Sequence, residues 1–129
     1  MSAKAEKSQK TILIVEDDND GREVLVRIVD ALGFKALAYG SGQEALDALQ
    51  QHKVHLALID IMMPGMNGYE VLKEIREIDA YKELPVIMVT AKDEDSEMFE
   101  GYTHGADYYI PKPFTSKQIE WGIKTFLDE

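Results

Sequence analysis

Five short apolar runs recur along the chain, separated by longer stretches in which apolar residues return every three or four positions. The runs occupy residues 11–15, 34–39, 54–60, 85–90 and 107–110. Short apolar runs bounded by turn residues are typical of strands buried on both faces. The regular alternation of strand and helix predicts a doubly wound α/β fold, with a parallel sheet covered by helices on both faces.

The intervening periodicity predicts five helices. The first would be capped by Asn19 or Asp20 and end at Gly33. The second opens at a capping box, Ser41 to Glu44, and runs to about residue 53. The remaining helices are predicted over residues 68–79 and 94–104 and from a second capping box that begins at residue 115.

The order 2-1-3-4-5 is the natural one for a five-stranded sheet of this kind, which makes the predicted fold flavodoxin-like. It places strands 1 and 3 side by side at the point where the winding reverses, and ligands bind at that crevice in open α/β sheets. Glu16 and Asp17 follow strand 1, and Asp60 ends strand 3. Neighbouring strands lie about 4.8 Å apart, so the three carboxylates are expected to converge.

Length and charge narrow the class of protein. The chain has 129 residues, a net charge of −10 and no cysteine. We expect one domain over residues 11–129, preceded by a flexible polar tail over residues 1–10. The negative charge disfavours direct nucleic-acid binding, and neither a signal peptide nor an apolar run long enough to cross a membrane is visible. We therefore expect a cytoplasmic protein that does not insert into membranes.

The acidic cluster is difficult to explain by stability, because carboxylates this close repel one another and raise one another's pKa. A hard divalent cation removes the conflict, and Mg²⁺ is typically held by one or two carboxylates together with water and phosphate. The prediction is a Mg²⁺ site, with Mn²⁺ as a possible substitute, built from Glu16, Asp17 and Asp60. Asp18 is better explained as a cap of the following helix.

Two more polar residues end neighbouring strands at the same edge. Thr90 closes the fourth apolar run with a hydroxyl, and Lys112 follows the fifth between Pro111 and Pro113. Either residue alone would be ordinary, since threonine is common in strands and lysine is usually a solvated surface residue. Beside an acidic cluster, the lysine would balance part of the negative charge.

The motifs in this order resemble those of a response-regulator receiver domain over nearly the whole chain, from about residue 10 to residue 129. The resemblance is carried by Glu16-Asp17, Asp60-x-x-Met63-Pro64-Gly65-x-x-Gly68, Thr90-Ala91 and Lys112-Pro113-Phe114. The match is specific because each motif follows a predicted strand. Many members carry two aspartates where this chain has Glu16-Asp17, and the Glu-Asp form is a familiar variant.

The resemblance implies a role for each matching residue. Asp60 would be the phosphoacceptor, with Thr90 and Lys112 binding the phosphoryl oxygens. Glu16 and Asp17 would serve the Mg²⁺ together with Asp60, with Asp17 as the more direct ligand. The backbone carbonyl of Met62 would complete the protein ligands of the metal.

Further implications concern the switch and the pocket mouth. Thr90 and Tyr109 would form the switch pair, and the side chains of Met62, Ala91 and Lys92 would border the mouth of the pocket. The resemblance also predicts that the Lys112–Pro113 peptide bond is cis, although only about 5% of X-Pro bonds are.

The implied function is that of a phosphoacceptor in two-component signalling, similar to the stand-alone chemotaxis regulators, which catalyses only its own phosphorylation and dephosphorylation. Its implied partners are a sensor histidine kinase or a histidine phosphotransfer protein, and a downstream protein. The downstream protein would dock on the surface formed by the fourth helix, the fifth strand and the fifth helix, where Trp121 is expected on the outer face. We expect a monomer or a weak homodimer.

Three alternatives remain open from the sequence. The chain could be a receiver excised from a larger hybrid kinase or multidomain regulator. An aspartyl-phosphate hydrolase of the haloacid dehalogenase type also uses a strand-end Asp with Mg²⁺, but needs a second Asp two residues later, where this chain has Met62. A flavodoxin-like FMN carrier shares the fold, but its first loop must cradle phosphate, and here that loop carries three acids.

Overall fold

Five parallel strands form one sheet in the computed structural model, which describes residues 9–91 and 105–127. The strand order is β2-β1-β3-β4-β5, as predicted. The strands are β1 (Thr11–Val15), β2 (Lys35–Tyr39), β3 (Leu56–Asp60), β4 (Val86–Thr90) and β5 (Tyr108–Pro111). The register pairs Val15 of β1 with Ile59 of β3, so the residue that follows β1 lies beside Asp60.

The described helices are α1 (Asn19–Ala31), α2 (Gly42–Leu49), α3 (Gly68–Arg76) and α4 (Ser116–Leu127), with a 3-10 turn over Asp79–Tyr81. The helix predicted over residues 94–104 lies outside the described residues. The predicted ends of α2 and α3 were too late by about three or four residues. The chain leaves α3 at Glu77 and forms the short 3-10 turn instead. None of the described helices has both the length and the apolar character needed to span a membrane.

Alternate strand residues divide the core between the two faces of the sheet, because successive strand side chains point to opposite faces. One cluster contains Leu13, Ile59, Met88 and Tyr109 and packs against α2 and α3. The other contains Ile14, Leu58 and Ile110 and packs against α1 and α4. Both faces are covered, which explains why β3 and β4 read as continuous apolar runs.

Helix caps agree only partly with the predictions. The cap of α1 is Asp18, whose side chain accepts a hydrogen bond from the Gly21 amide at 2.7 Å. This confirms the interpretation of Asp18 as a cap, and the alternative prediction of Asn19 or Asp20 was wrong. Asp18 is one residue earlier and is the last with extended backbone, which a cap requires. The predicted box at residue 115 is present, because the Gln118 amide donates to the Thr115 hydroxyl and the Thr115 amide donates to the Gln118 side chain.

The Ser41 box forms in one direction only. Ser41 accepts from the Glu44 amide, but the Glu44 carboxylate accepts from the amide of Gly40 instead of closing the box. A complete box that the sequence analysis missed opens α3, where Asn67 and Glu70 exchange hydrogen bonds of 2.8 and 3.0 Å. Its signal was visible, since Asn followed three residues later by Glu is a capping pattern.

Gly68 holds the start of α3 against the end of β3. Its amide donates to the Ile61 carbonyl at 2.9 Å, and a Cβ at this position would lie 2.5 Å from the Asp60 carbonyl oxygen. Real Cβ atoms do not approach backbone this closely, so only glycine allows the contact. The acceptor strand and α3 are therefore locked together at this point.

We predict that Gly68→Ala destabilises the fold by about 2–4 kcal/mol, because backbone must shift to admit the methyl group. Gly65→Ala is the matched control in the same loop. Gly65 has a positive φ of 73° but open space around its Cβ position, so that change should cost only about 1 kcal/mol. Urea unfolding monitored by circular dichroism measures both values. Equal losses in the two variants would contradict the close-approach explanation.

Candidate functional site

Three carboxylates meet at the carboxyl edge of the sheet. Glu16, Asp17 and Asp60 each offer an oxygen, and these oxygens lie within 4.8 Å of one another. The side chains of Glu16 and Asp60 are buried, at 1% and 5% exposure, so little water is available to screen their repulsion. The convergence predicted from the strand order is confirmed.

Lys112 provides the positive charge of this cluster. Its ammonium lies 2.7 Å from one Glu16 oxygen and 3.8 Å from an Asp60 oxygen. The other Glu16 oxygen accepts from the Asp18 amide at 3.2 Å, so both oxygens of Glu16 already have partners within the protein. Glu16 therefore mainly binds Lys112. Asp17 and Asp60 are the carboxylates better placed to bind a cation.

The electrostatics follow from this arrangement. The pKa of Asp60 is raised to about 7, mainly by burial and then by the charge of the nearby Glu16 carboxylate, while Lys112 opposes the change. Burial alone would lower the pKa of Lys112, but its hydrogen bond to Glu16 and the charge of Asp60 outweigh burial and raise it. The lysine therefore stays charged, and the acid is destabilised as an anion unless a further cation is present.

Thr90 and Lys112 sit at the ends of adjacent strands. Thr90 is fully buried as the last residue of β4, and its carbonyl accepts from the Lys112 amide at 2.6 Å. The Lys112–Pro113 bond is cis, as predicted. Tyr109, three residues before the lysine, is buried in the core cluster under α3.

The structure describes two of the three residues that are predicted to border the mouth of the pocket. The Met62 side chain is 56% exposed, and its amide donates to an Asp60 oxygen at 3.4 Å. Ala91 is exposed immediately after Thr90. Lys92, the third residue predicted at the mouth, lies outside the described residues.

Arg22 supports the acidic loop, and the sequence analysis did not single it out. Its guanidinium donates to the Glu16 carbonyl at 2.8 Å, to the Asp17 carbonyl at 3.5 Å and to the Asn19 side chain. An arginine four residues into a helix gives no signal of this role by itself, because only the fold brings it back over the preceding loop. It fixes the backbone that carries both acids.

The comparisons with known proteins identify the family and the fold of the chain. The model of the family described as the response regulator receiver domain matches residues 12–124. The chain belongs to the response-regulator receiver family. This receiver is 39% identical over 116 residues to the transcriptional regulatory protein CpxR of Klebsiella pneumoniae, covering 90% of this chain and 48% of that protein. The chain thus spans about half the length of the curated relatives it matches.

Solved structures share the fold of this receiver. A CheY-like receiver domain protein from Methanospirillum hungatei is 30% identical with a TM-score of 0.86, covering 94% of this chain and 95% of that one. The receiver domain of a sensor histidine kinase from Pseudomonas aeruginosa has a TM-score of 0.87 at 22% identity, covering 95% of this chain and 100% of that one. That protein was crystallised with a magnesium ion coordinated in its active-site cleft.

The raised pKa of Asp60 gives a prediction about stability without metal. The acid has a pKa of about 7 in the folded chain against an ordinary 3.8, so the folded state binds more protons than the unfolded state between these values. The contribution of Asp60 to stability therefore falls as pH rises from about 4 to 7. Asp60→Asn should stabilise the receiver at pH 8 in chelator by on the order of 1–3 kcal/mol, and the gain should vanish near pH 4.

Thermal unfolding at pH 8, 6 and 4 measures this difference. Asp20→Asn is the control, because it removes an exposed carboxylate of α1 that has no part in the cluster. A pH-independent gain in Asp60→Asn would show that the repulsion within the cluster is not its cause.

Proposed function

We propose that Asp60 accepts a phosphoryl group from the phosphohistidine of a sensor histidine kinase or a phosphotransfer protein. The observation that carries this proposal is the placement of the Asp60 carboxylate. It is buried at a strand end, 3.8 Å from the Lys112 ammonium and within 4.8 Å of oxygens from Glu16 and Asp17. Phosphoryl transfer needs mainly positioning and charge neutralisation, and this cluster offers both.

The donor set fits a divalent cation that prefers oxygen. Asp17 and Asp60 would hold Mg²⁺, or Mn²⁺ in its place, with the Met62 carbonyl as a third protein ligand and Glu16 acting mainly through Lys112. Few protein ligands with several retained waters are what Mg²⁺ tolerates. When bound, the cation supplies positive charge to the phosphoryl oxygens and to the carboxylates that crowd them.

The transfer itself is a simple displacement. An Asp60 oxygen forms a bond to phosphorus while the bond from phosphorus to the histidine nitrogen breaks, and the imidazole leaves with the electron pair. Lys112 neutralises one phosphoryl oxygen, and the Thr90 hydroxyl donates a hydrogen bond to another. The receiver thus catalyses its own modification and turns over no separate substrate.

The aspartyl phosphate would act as a switch, since a new dianion can bias an element with two arrangements. Movement of Thr90 toward the phosphate would change the space available to Tyr109 on β5. The surface expected to change comprises β5 and α4. The segment over residues 94–104, which the sequence analysis also assigned to this surface, lies outside the described residues. Trp121 on α4 is 55% exposed and its ring lies 5.1 Å from that of Tyr108, so an aromatic pair is available there to a downstream protein.

The rival functions lack a necessary group. A dehalogenase-type hydrolase needs an acid two residues after the nucleophile, and Met62 occupies that position with an apolar side chain. An FMN carrier needs amides and hydroxyls around phosphate in its first loop, whereas Glu16, Asp17 and Asp18 make that loop repel it. Both arguments favour the phosphoacceptor.

What the receiver regulates depends on whether it is joined to an output module or acts on a separate protein. The names of curated relatives assign them to transcriptional regulation, and the chain matches about half of each. We propose that a receiver of this kind regulates either a separate protein or a joined output module through the same α4–β5 surface. The charge of −10 disfavours contact between the receiver itself and nucleic acid.

The acceptor is tested by intact mass. The receiver with acetyl phosphate and Mg²⁺ should gain one phosphoryl group, and Asp60→Asn should gain none. Glu16 is the other buried carboxylate beside Lys112, but both of its oxygens are already bonded to Lys112 and to the Asp18 amide. Asp20→Asn should be phosphorylated like the parent. Equal phosphorylation of parent and Asp60→Asn would exclude Asp60 as the acceptor.

The metal ligands are tested separately. Mg²⁺ should shift the amide signals of Asp17 and Asp60 in a titration followed by NMR, and Asp17→Ala should weaken binding at least about tenfold. Asp20→Ala, which removes an equal charge from the surface of α1, should bind the metal like the parent. Unchanged affinity in Asp17→Ala would move the site elsewhere.

The lifetime of the phosphoryl group tests the pocket mouth. The Met62 side chain is apolar and offers water only a weak sulfur acceptor, so Met62→Asn should speed hydrolysis by about threefold, equivalent to about 0.7 kcal/mol. Decay is followed by phosphate release after donor removal, with Val24→Asn as a control at an exposed apolar residue of α1. An unchanged or longer lifetime would remove Met62 from the path of the attacking water.

A further inference from the structure

Tyr109, the predicted switch aromatic, is hydrogen-bonded to a residue that lies outside the sheet. Tyr109 on β5 pairs with Met88 on β4 and is only 4% exposed. Its hydroxyl lies 2.9 Å from the hydroxyl of Tyr69, which belongs to the first turn of α3. Either oxygen can donate, so the pair forms a hydrogen bond between two elements that lie 40 residues apart.

Tyr69 is itself fixed to the acceptor strand. It follows Gly68, whose amide binds the Ile61 carbonyl and whose Cα packs so closely on Asp60 that no side chain fits. The capping box of Asn67 and Glu70 holds the same turn of helix. The backbone of Tyr69 is therefore tied to the loop that leads away from Asp60.

We propose that Tyr69 is a positioning residue, whose hydroxyl keeps Tyr109 buried before phosphorylation and links the acceptor loop to β5 by a route separate from Thr90. The hydrogen bond favours the buried position of Tyr109 in the absence of a phosphoryl group. A change at Asp60 then reaches β5 through Gly68 and Tyr69 as well as through Thr90. This inference rests on the proposed function for its consequence, but the placement of Tyr109 is testable without it.

The first test uses the metal-free, unphosphorylated receiver. Nitration by tetranitromethane followed by peptide mapping measures the accessibility of each tyrosine. Tyr69→Phe should increase the nitration rate of Tyr109 by about fivefold, corresponding to the loss of one hydrogen bond worth about 1 kcal/mol. The ring signals of Tyr109 should shift in NMR spectra of tyrosine-labelled protein.

Tyr81→Phe is the matched control. The Tyr81 hydroxyl accepts from the Val54 amide at 3.2 Å and donates to the His52 carbonyl at 3.1 Å, at the opposite edge of the sheet. This variant removes a buried hydroxyl and should lower stability, yet leave the nitration of Tyr109 unchanged. A general loosening of the fold would instead raise Tyr109 nitration in both variants, which would overturn the proposal.

The second test concerns coupling to the acceptor. Binding of beryllofluoride with Mg²⁺, a mimic of the phosphoryl group, should be weakened about three- to tenfold in Tyr69→Phe and to a similar extent in Tyr109→Phe. The double variant should be no weaker than either single variant, since all three lack the same hydrogen bond. Additive losses would show that the two hydroxyls act independently and would contradict the link.

The two tests distinguish a failure of the positioning role of Tyr69 from a failure of the proposed function. Failure of the parent receiver to bind beryllofluoride would overturn the proposed function while the nitration result stands by itself. Normal binding by the parent, combined with unchanged Tyr109 nitration in Tyr69→Phe, would overturn the positioning role alone.

Discussion

The balance between Lys112 and the buried acids is the interaction on which the site depends. Two carboxylates with 1% and 5% exposure would be costly without a cation, because burial in a low dielectric penalises charge and strengthens repulsion. Lys112 offsets part of that cost through its 2.7 Å contact with Glu16, but it stands 3.8 Å from Asp60. The pKa of Asp60 is still raised to about 7, because Lys112 does not fully compensate its negative charge. A further cation would stabilise the ionised carboxylate.

Neighbouring residues at this edge of the sheet hold the repelling carboxylates in position. Arg22 fixes the loop carrying Glu16 and Asp17, and Gly68 fixes the end of β3 against α3. A site of this kind requires rigid supports, because charges that repel would otherwise separate. The same supports bring the start of α3 under β5, where Tyr69 meets Tyr109. The contact that fixes the end of β3 at Asp60 therefore also places Tyr69 within hydrogen-bond distance of Tyr109.

The sequence by itself determined the strand order and the acidic cluster. Apolar runs ending in Glu16, Asp60, Thr90 and Lys112 are strong signals, since a buried run that stops at a polar side chain marks the edge of a parallel sheet. The alternation of strand and helix left few topologies to choose from. Element ends were less well determined, and the early end of α2 and the 3-10 turn after α3 were not predicted. Local preferences at helix ends are weak and tertiary contacts override them.

Only the tertiary structure decided how the side chains pair. Which carboxylate takes Lys112 depends on distances across strands β1, β3 and β5, and no spacing along the chain encodes them. Tyr69 meets Tyr109, 40 residues away, only through folding, and Arg22 reaches the loop before α1 only through the turn that opens the helix. Their types and positions alone gave no signal. The sequence therefore specifies which groups meet at the sheet edge, because the apolar pattern that marks each strand and its end is local and can be read along the chain. The partners of each group follow from packing, because packing joins residues that are distant along the chain.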